Sequence, residues 1–264
     1  MGADKGTFDL PPAGHLEWIG STDPDQFRRV GRRYRQFLVE DTGLAAHHLL
    51  LDIGCGTGRM AIALADYLEP PGGYVGFDVW REGVEWCRQE IGRQRPEFTF
   101  VHADVDEPHL NPGGTLPIED WRFPATDGSV DRALALSVFT HLDGLTARHY
   151  LRELARVLKP GGKALLTFFL IDPAGEAHLR AWPDGADLLG GPRTPLLMRF
   201  GKDLFSAWDP TALEGAAAAA GLVVAGREAG DWCGRPPLRP DRPHHQDHLI
   251  LMRPSVGGGA VGGG

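Results

Sequence analysis

Apolar residues follow two kinds of pattern along this chain. Short continuous apolar runs bounded by Gly, Pro or Asp are typical of buried strands, and apolar residues three or four positions apart indicate one face of a helix. The continuous runs predict strands at residues 47–54, 74–77, 98–102, 130–136, 163–170, 222–227 and 248–252. The helical spacing predicts helices at residues 26–40, 58–68, 81–95, 145–158 and 211–220.

Strand and helix alternate five times in this prediction. Such alternation is typical of an α/β fold, and we expect a doubly wound, Rossmann-like sheet of seven strands with helices on both faces. Most strands should be parallel, with antiparallel pairing at one edge, because the last two strands have no long helix between them. Ligands of such sheets bind beyond the carboxyl ends of the strands. We therefore look for a functional site there.

The pattern also divides the chain into three parts. Residues 1–25 are rich in Gly, Pro and Asp and are expected to form a loop-like extension. Residues 26–254 are expected to form one domain, within which Pro, Gly and Trp make residues 105–129 and 171–209 look irregular. Residues 255–264 are rich in Gly, with six glycines in ten residues, and are expected to form a flexible tail.

Three glycines lie on alternate positions between the first predicted strand and the next helix: Gly54, Gly56 and Gly58. Glycine permits a positive φ and lets a ligand approach the backbone closely. The dinucleotide fingerprint requires the spacing G-x-G-x-x-G, but this loop reads G-x-G-x-G and has no glycine at position 59. Pyrophosphate binding, and with it a nucleotide-dependent oxidoreductase, is therefore disfavoured.

An acidic residue ends each of the next two predicted strands. Asp78 ends the second strand, where a carboxylate can accept hydrogen bonds from both hydroxyls of a ribose. Asp104 follows the third strand, where it could accept from an adenine amino group. Either residue alone could be a helix cap or a turn residue, but their recurrence at one edge of the sheet favours a ligand.

Five segments carry a family resemblance: LLLDIGCGTGR, GGYVGFDV, FVHADV, SVFTHL and RVLKPGGKALLTF. Over roughly residues 45–170 the chain resembles the class I methyltransferases that depend on S-adenosyl-L-methionine (SAM), with a core of the methyltransferase 11/25 type. The order and spacing of the segments also match. The resemblance implies the fold, methyl transfer and SAM as the cofactor, but it says little about the methyl acceptor.

The resemblance also implies a role for each matching residue. The three loop glycines would wrap the methionine part of SAM, and Asp52 would hold its ammonium group directly or through water. Asp78 would take the ribose hydroxyls, with the adenine packed on Val79 and its amino group on Asp104. The implied SAM-binding residues are Asp52, Gly54, Cys55, Gly56, Gly58, Asp78, Val79, Asp104, Val105 and Ser137. Among them, Cys55 would be a small loop residue, Val105 would offer a backbone contact, and Ser137 would lie near the methionine end.

His141 is the candidate catalytic residue, because it follows the fourth strand, four residues after Ser137. Imidazole can act as a general base near neutral pH, although a histidine at this place could also merely pack or bond to the backbone. We expect the acceptor to be a small molecule, methylated on a hydroxyl of a metabolite, natural product or sugar. The alternatives are an N- or C-methyltransferase of the same fold and a SAM-binding module without turnover.

Acceptor specificity is expected to come from segments outside the matching core. The first helix and residues 171–209 are candidates for a lid over the substrate. Aromatic residues in irregular segments can line an organic pocket, although each can equally be ordinary packing. The tryptophans outside the core motifs are Trp18, Trp121, Trp182, Trp208 and Trp232.

Charge and cysteine content bound the partners and the compartment. The net charge of −8 disfavours nucleic acid as a partner, and no apolar run is long enough for a membrane span. Three cysteines do not make a disulfide framework, which favours a reducing, cytoplasmic location. Three histidines, His244, His245 and His248, lie close together, but we expect no metal site. Their role, and that of the segment DWCGRP at 231–236, stays open at this stage.

Overall fold

The fold is described from a computed structural model, in which the described residues are 8–21, 23–107, 111–181, 196–200 and 203–255. Trp182 and the tail beyond residue 255 lie outside these residues. The helices are α1 Ala13–Trp18, α2 Pro24–Thr42, α3 Arg59–Leu64, α4 Arg81–Cys87, α5 Gly144–Val157, α6 Pro173–Arg180 and α7 Pro210–Ala219. The strands are β1 Leu49–Ile53, β2 Gly73–Asp78, β3 Phe98–His102, β4 Val130–Ala135, β5 Leu158–Phe168, β6 Leu196–Phe200, β7 Asp203–Ala207, β8 Val223–Glu228 and β9 Asp247–Met252.

Seven strands form one sheet in the order β3-β2-β1-β4-β5-β9-β8. The first five of these pair in parallel, while β9 runs antiparallel to both β5 and β8. The predicted seven-stranded, mostly parallel sheet with antiparallel pairing at one edge is therefore confirmed. The reversed strand is β9, which lies one position in from that edge. Strands β6 and β7 pair separately as an antiparallel hairpin.

Helices cover both faces of the sheet because successive strand residues point to opposite sides. Leu51 of β1 belongs to a core that also contains Leu154 of α5, whereas the adjacent Leu50 packs in a second core with Phe37 of α2. Strands with both faces buried need apolar residues at nearly every position, as β1 has. Among the described residues, no helix combines the length and apolarity that a membrane span requires.

Helix α2 begins at Pro24, two residues before the predicted start at residue 26. Asp23 is its N-cap, with its carboxylate accepting a hydrogen bond from the backbone N–H of Gln26 at 2.7 Å, and Pro24 is the first helical residue. The helix ends at Gly43, whose φ of 73° is left-handed.

Several predicted elements differ from the structure. The extension 1–25 is not loop throughout, because residues 13–18 form α1, a short helix whose Leu16 is buried. The segment 171–209 is not simply irregular. It contains α6, which Asp172 caps by accepting from the N–H of Gly175 at 2.9 Å, as well as β6 and β7. These elements lack the long apolar periodicity by which the other elements were predicted.

Two further element boundaries differ between the prediction and the structure. The second helix of the core is shorter than predicted and ends at Leu64. The Pro-Gly-Gly segment after α5 was expected to separate helix from strand, but β5 begins at Leu158 and includes it. Gly161 continues the strand because its N–H donates to the carbonyl of Arg253 at 2.7 Å.

Candidate active site

The glycine loop after β1 has a backbone that only glycine adopts readily. Gly54, Gly56 and Gly58 have φ values of 73°, 53° and 74°. A Cβ atom on Gly54 would lie 2.4 Å from Cγ2 of Val138, and one on Gly56 would lie 2.9 Å from Cγ2 of Ile19. Both distances are far inside van der Waals contact, so side chains at these positions would displace the neighbouring segments.

Asp78 joins the glycine loop to the end of β2. Its Oδ2 accepts a hydrogen bond from the N–H of Gly56 at 2.7 Å, and its Oδ1 accepts from the N–H of Trp80 at 2.9 Å. Burial raises the pKa of Asp78, and the backbone donors Trp80 and Gly56 oppose that shift. A carboxylate has about four lone-pair positions. Each oxygen therefore keeps capacity for a further donor, such as a ribose hydroxyl.

Asp52 lies inside the domain rather than on a surface of the loop. It is only 2% exposed, and the hydroxyl of Tyr74 donates to its Oδ2. Burial raises the pKa of Asp52 to about 7, against the opposing effect of the Tyr74 hydrogen bond. These surroundings favour an indirect over a direct influence on a bound ammonium group.

The raised pKa of Asp52 makes stability depend on pH. The folded value is about 7 and the unfolded value is close to 3.8, so the native state binds more protons than the unfolded chain between these values. Stability should therefore fall as pH rises through this window and level off above it. The Asp52→Asn variant cannot ionise and escapes this loss.

We therefore expect the stability of Asp52→Asn, relative to that of the wild type, to increase with pH. Its advantage in the free energy of unfolding should grow by about 2–3 kcal/mol between pH 5 and pH 8. Urea unfolding at both pH values measures the difference. An advantage that does not change with pH would show that Asp52 titrates normally.

Asp104 stands at the end of β3 as predicted, and its partners belong to the protein. It accepts hydrogen bonds from Nδ2 of Asn111 at 3.1 Å and Oγ1 of Thr115 at 2.9 Å, and Arg81 lies 3.5 Å away. The Asn111 and Thr115 hydrogen bonds lower its pKa. Asp104 thus organises the connection after β3 and still keeps about a third of its side chain exposed.

The two predicted valines differ in their exposure. Val105 is fully buried, and its N–H donates to the carbonyl of Ala103 at 2.8 Å. The backbone contact expected from Val105 would therefore require that bond to be replaced. Val79 is half-buried, and its carbonyl lies 3.1 Å from Nε2 of His102.

Ser137 leaves β4 in an uncommon conformation. Its φ of 60° is left-handed, which is rare for a residue with a side chain and is concentrated at functional sites. Its N–H donates to Oγ1 of Thr167 at 2.8 Å, and its Oγ donates to Oε1 of Gln246 at 3.1 Å. Gln246 directly precedes β9, so the carboxyl ends of β4 and β5 meet the start of the antiparallel strand β9 here.

His141 is exposed and lies on the same loop as Val138, the residue that packs against Gly54. The N–H of His141 donates to the carbonyl of Val138 at 2.9 Å. Its ring is 5.0 Å from the ring of Phe205 in β7. The N–H of Ser206 in β7 donates to the carbonyl of Thr140 at 2.6 Å. The structure thus brings the His141 loop together with the donor loop through Val138 and with strand β7 through Phe205 and Ser206.

The sequence prediction missed the cover over the glycine loop. The ring of His15 in α1 lies 4.8 Å from that of Trp80, and Trp18 lies 6.0 Å from it. Nη2 of Arg59 donates to the carbonyl of Ile19 at 2.6 Å. Arg59 directly follows the last glycine of the loop, and Trp80 directly follows the segment GGYVGFDV. Large side chains at these two positions were the signal in the sequence that could have predicted the cover. Helix α1 therefore packs on the face of the loop where a ligand would lie.

The described tryptophans differ in what they can contribute to a pocket. Trp208 and Trp232 are buried, and their Nε1 atoms donate to the carbonyl of Phe139 and to Oδ2 of Asp247. Trp121 is half-buried and packs beside Phe77. Trp208 and Trp232 are therefore packing residues. Nε1 of Trp121 is buried and has no hydrogen-bond partner within the described residues, and Trp18 is largely exposed beside Trp80.

The DWCGRP segment has a structural role in holding the start of β9. Nε1 of Trp232 donates to Asp247 at 2.7 Å, and Nη1 of Arg235 pairs with Oδ2 of Asp172 at 2.8 Å. The segment thereby ties the beginning of α6 to the beginning of β9.

Cys55 and Cys87 lie beneath the glycine loop. Both side chains are buried, and burial raises the pKa of each thiol well above its ordinary value. A thiolate nucleophile is therefore disfavoured. Cys55 fits its predicted place as a small loop residue, since its Sγ would lie 3.0 Å from a Cβ atom on Gly76.

The site fits a ligand with a ribose and a polar, charged end. The glycine loop lets a ligand approach its backbone closely, and the carboxylate of Asp78 can accept hydrogen bonds from the ribose hydroxyls. Oγ1 of Thr57 and Nε of Arg59 are buried beside the loop and have no hydrogen-bond partner within the described residues. Buried polar groups normally have partners. Their position suits a ligand such as SAM, whose methionine end carries both an ammonium and a carboxylate.

Comparison with known proteins gives the class. Residues 50–162 match the family described as "Methyltransferase domain". The phthiotriol/phenolphthiotriol dimycocerosates methyltransferase 1 of Mycobacterium ulcerans is 31% identical over 207 residues, which are 75% of this chain and 64% of that protein. The 27-O-demethylrifamycin SV methyltransferase of Amycolatopsis mediterranei is 31% identical over 131 residues, which are 50% of this chain and 42% of that protein.

A solved structure extends the likeness to the whole fold. The SAM-dependent methyltransferase from Aquifex aeolicus aligns with a TM-score of 0.56 at 15% identity, over 93% of this chain and 100% of that one. Proteins named as O-methyltransferases and as C-methyltransferases are both among the relatives. The chain spans about half of the length of most curated relatives that it matches. Residues 50–162 thus form a methyltransferase domain that resembles those of the class I SAM-dependent methyltransferases.

Proposed function

We propose that this chain transfers a methyl group from SAM to a hydroxyl oxygen of a small molecule. The observation that carries the proposal is the place of His141. Its loop packs on the donor loop through Val138 and Gly54, and its ring lies beside Phe205 of the 171–209 segment. An exposed imidazole between the donor loop and a covering segment is well placed to act as a general base.

The chain's own residues would prepare the reaction in three ways. The glycine loop and Asp78 would hold the donor, which supplies a methyl carbon activated by a positively charged sulfur. Helix α1 and strand β7 would exclude water and fix the acceptor, because holding nucleophile and methyl in line lowers the barrier. A ring nitrogen of His141 would take the hydroxyl proton as the oxygen bonds to the methyl carbon and the carbon–sulfur bond breaks.

The names of the relatives support a small-molecule acceptor without fixing the atom. One relative is named for 27-O-demethylrifamycin SV, and another for phthiotriol compounds. Others are named as ubiquinone/menaquinone C-methyltransferases, and these keep C-methylation as the alternative. A SAM-binding module without turnover is the other alternative. It would require that no acceptor reach His141.

We expect the purified chain to place a methyl group on oxygen. The test incubates it with SAM labelled in the methyl carbon and with three acceptor panels: hydroxylated compounds, amines and activated carbon acids. The chemical shift of the labelled methyl in the product identifies the atom. Methylated amines or carbons as the main products would contradict the proposal, and SAM binding with no turnover on any panel would favour the binding module.

A further inference from the structure

The three histidines near the end of the chain differ in their surroundings. His244 and His248 are buried, and Nε2 of His244 lies 3.2 Å from Oε1 of Glu228. His245 is exposed, and Nδ1 of its ring lies 3.2 Å from Oδ1 of Asp231 in the DWCGRP segment. The buried pair belongs to the interior of the domain, whereas a ligand can reach His245.

The connection between β8 and β9, residues 229–246, lies at the edge of the sheet that holds the donor loop. Strand β9 is antiparallel to both β5 and β8, so β5 and β8 run in the same direction and their carboxyl ends lie at one edge. Strand β4 is parallel to β5 and ends at the same edge, where the chain continues to Ser137 and His141. Ligands of such sheets bind beyond the carboxyl ends of the strands. His245 and His141 therefore lie at the same, ligand-binding edge.

Gln246 connects His245 to the donor side of this edge. Its Oε1 accepts hydrogen bonds from Oγ of Ser137 at 3.1 Å and from Oγ1 of Thr167 at 2.6 Å. Oγ1 of Thr167 also accepts from the N–H of Ser137 at 2.8 Å. His245 directly precedes Gln246, so it is one residue away from a group that fixes Ser137, the residue expected near the methionine end of SAM.

The backbone holds His245 and Asp231 against each other. The N–H of Asp231 donates to the carbonyl of His244, and the N–H of Trp232 donates to the carbonyl of His245, both at 3.1 Å. Gly230 permits this approach, because a Cβ atom there would lie 2.1 Å from the carbonyl oxygen of His245. The pair therefore does not depend only on the weak attraction between two exposed side chains.

The pairing determines which ring nitrogen of His245 faces a ligand. An ionised carboxylate can only accept a hydrogen bond, so the proton of the neutral ring lies on Nδ1, toward Asp231. Nε2 then has a lone pair and no proton. The side chain of His245 is 66% exposed. Nε2 can therefore accept a hydrogen bond from a ligand that carries a hydroxyl group.

A row of rings joins His245 to His141. The ring of His245 lies 6.1 Å from that of Phe169, which lies 5.9 Å from that of Phe205, and Phe205 lies 5.0 Å from the ring of His141. Phe169 is buried and Phe205 is half-buried, so the two form an apolar floor between two exposed, polar ends. Aromatic rings pack favourably against other rings. The row therefore suits a ring compound with a hydroxyl group near each histidine.

We propose that the methyl acceptor is an aromatic diol, with one hydroxyl group at His141 and the other at Nε2 of His245. The inference rests on the proposed transfer to a hydroxyl oxygen. His141 would take the proton of the hydroxyl that becomes methylated. His245 would bind the second hydroxyl and take no part in the chemistry, which makes it a specificity-determining residue. Asp231 would be a positioning residue, because it orients the ring of His245.

Calorimetry on the full chain, with the demethylated product of SAM present, tests the second contact without any turnover. The probes are two matched pairs: hydroquinone with phenol, and para,para′-biphenol with para-phenylphenol. In at least one pair the wild type should bind the diol about 5–20-fold more tightly. About twofold of this is statistical, since either end of a symmetric diol can bind, and one hydrogen bond supplies the rest.

Replacing His245 by a ring without nitrogen atoms isolates this hydrogen bond. His245→Phe keeps a ring beside Phe169 and should reduce the preference for the diol to about the statistical twofold, with the affinity for the monohydroxy compound unchanged. The matched control is His47→Phe, since His47 is also exposed but lies at the other end of the strands. It should keep the full preference.

A saturated analogue tests the aromatic part of the proposal. The wild type should bind cyclohexane-diol about 3–10-fold more weakly than hydroquinone, because only the aromatic ring packs as a ring on Phe205. Phe205→Leu should reduce this difference. Phe8→Leu is the control, since Phe8 packs against the core on the other face of the sheet, and it should leave the difference unchanged.

Three results would overturn the proposal: a diol preference in the wild type no larger than twofold, an undiminished preference in His245→Phe, or equal binding of cyclohexane-diol and hydroquinone. The wild-type comparisons decide alone if circular dichroism shows that a variant does not fold. Turnover is measured separately. Methylation of phenols without a diol preference would contradict only this inference, and diol binding without turnover would contradict only the proposed function.

Discussion

We expect His141→Ala to lower the turnover of the true acceptor about 10²–10⁴-fold, which is the usual contribution of a general base. The affinity for SAM should stay the same, because the groups proposed to hold SAM are the glycine loop and Asp78, whereas the ring of His141 lies 5.0 Å from that of Phe205 in β7. Added imidazole should restore part of the turnover if the missing group is a base, and a purely structural histidine would not respond in this way. Single-turnover rates with and without imidazole measure both effects.

The control for this variant is His47→Ala. His47 is also exposed, but it precedes β1, whereas His141 follows β4. Because β1 and β4 are parallel, the two histidines lie at opposite ends of the strands. Its replacement should leave turnover unchanged. Normal turnover by His141→Ala would show that His141 is structural and would favour an acceptor that needs no base, such as an amine.

The second large effect concerns the donor. Asp78→Ala should weaken SAM binding by about tenfold or more, because hydrogen bonds to a charged group are worth roughly 1.5–3 kcal/mol. The variant also loses the bond from the N–H of Gly56, which helps to shape the loop. Asp78→Asn retains one acceptor oxygen and should lie between the wild type and Asp78→Ala. Calorimetry gives the affinities, and circular dichroism verifies the fold.

A cap residue elsewhere separates the two roles of Asp78. Asp209 caps α7 by accepting from the N–H of Ala212 at 2.8 Å, far along the chain from the glycine loop. Asp209→Ala should cost about 1 kcal/mol of stability and leave SAM affinity unchanged. If Asp78→Ala behaves in the same way, Asp78 only shapes the loop through the N–H groups of Gly56 and Trp80, and the ribose assignment fails.

The central sheet and the glycine loop were predictable because their signals are local. A buried parallel strand needs an unbroken apolar run, and a loop that needs positive φ at Gly54, Gly56 and Gly58 needs glycine there. Asp78 directly ends its strand, and its distance in sequence from the loop is set by one helix. Local sequence patterns therefore predicted most of the residues that we assign to SAM binding.

The features that the sequence did not predict depend on contacts between distant residues. Helix α1 is too short to show periodicity, and its place over Gly56 comes from packing against Trp80. Asp104 was predicted as a strand end, but its partners Asn111 and Thr115 lie in a connection without regular pattern. The pairing of Glu228 with His244 likewise arises only when β8 and β9 lie side by side.

Calorimetric titration of the wild type with SAM and with its demethylated product tests the central claim most directly. The account predicts a single site per chain for both compounds, since the same loop and Asp78 would hold the part that they share. A chain that binds neither compound and binds NADH instead would contradict it.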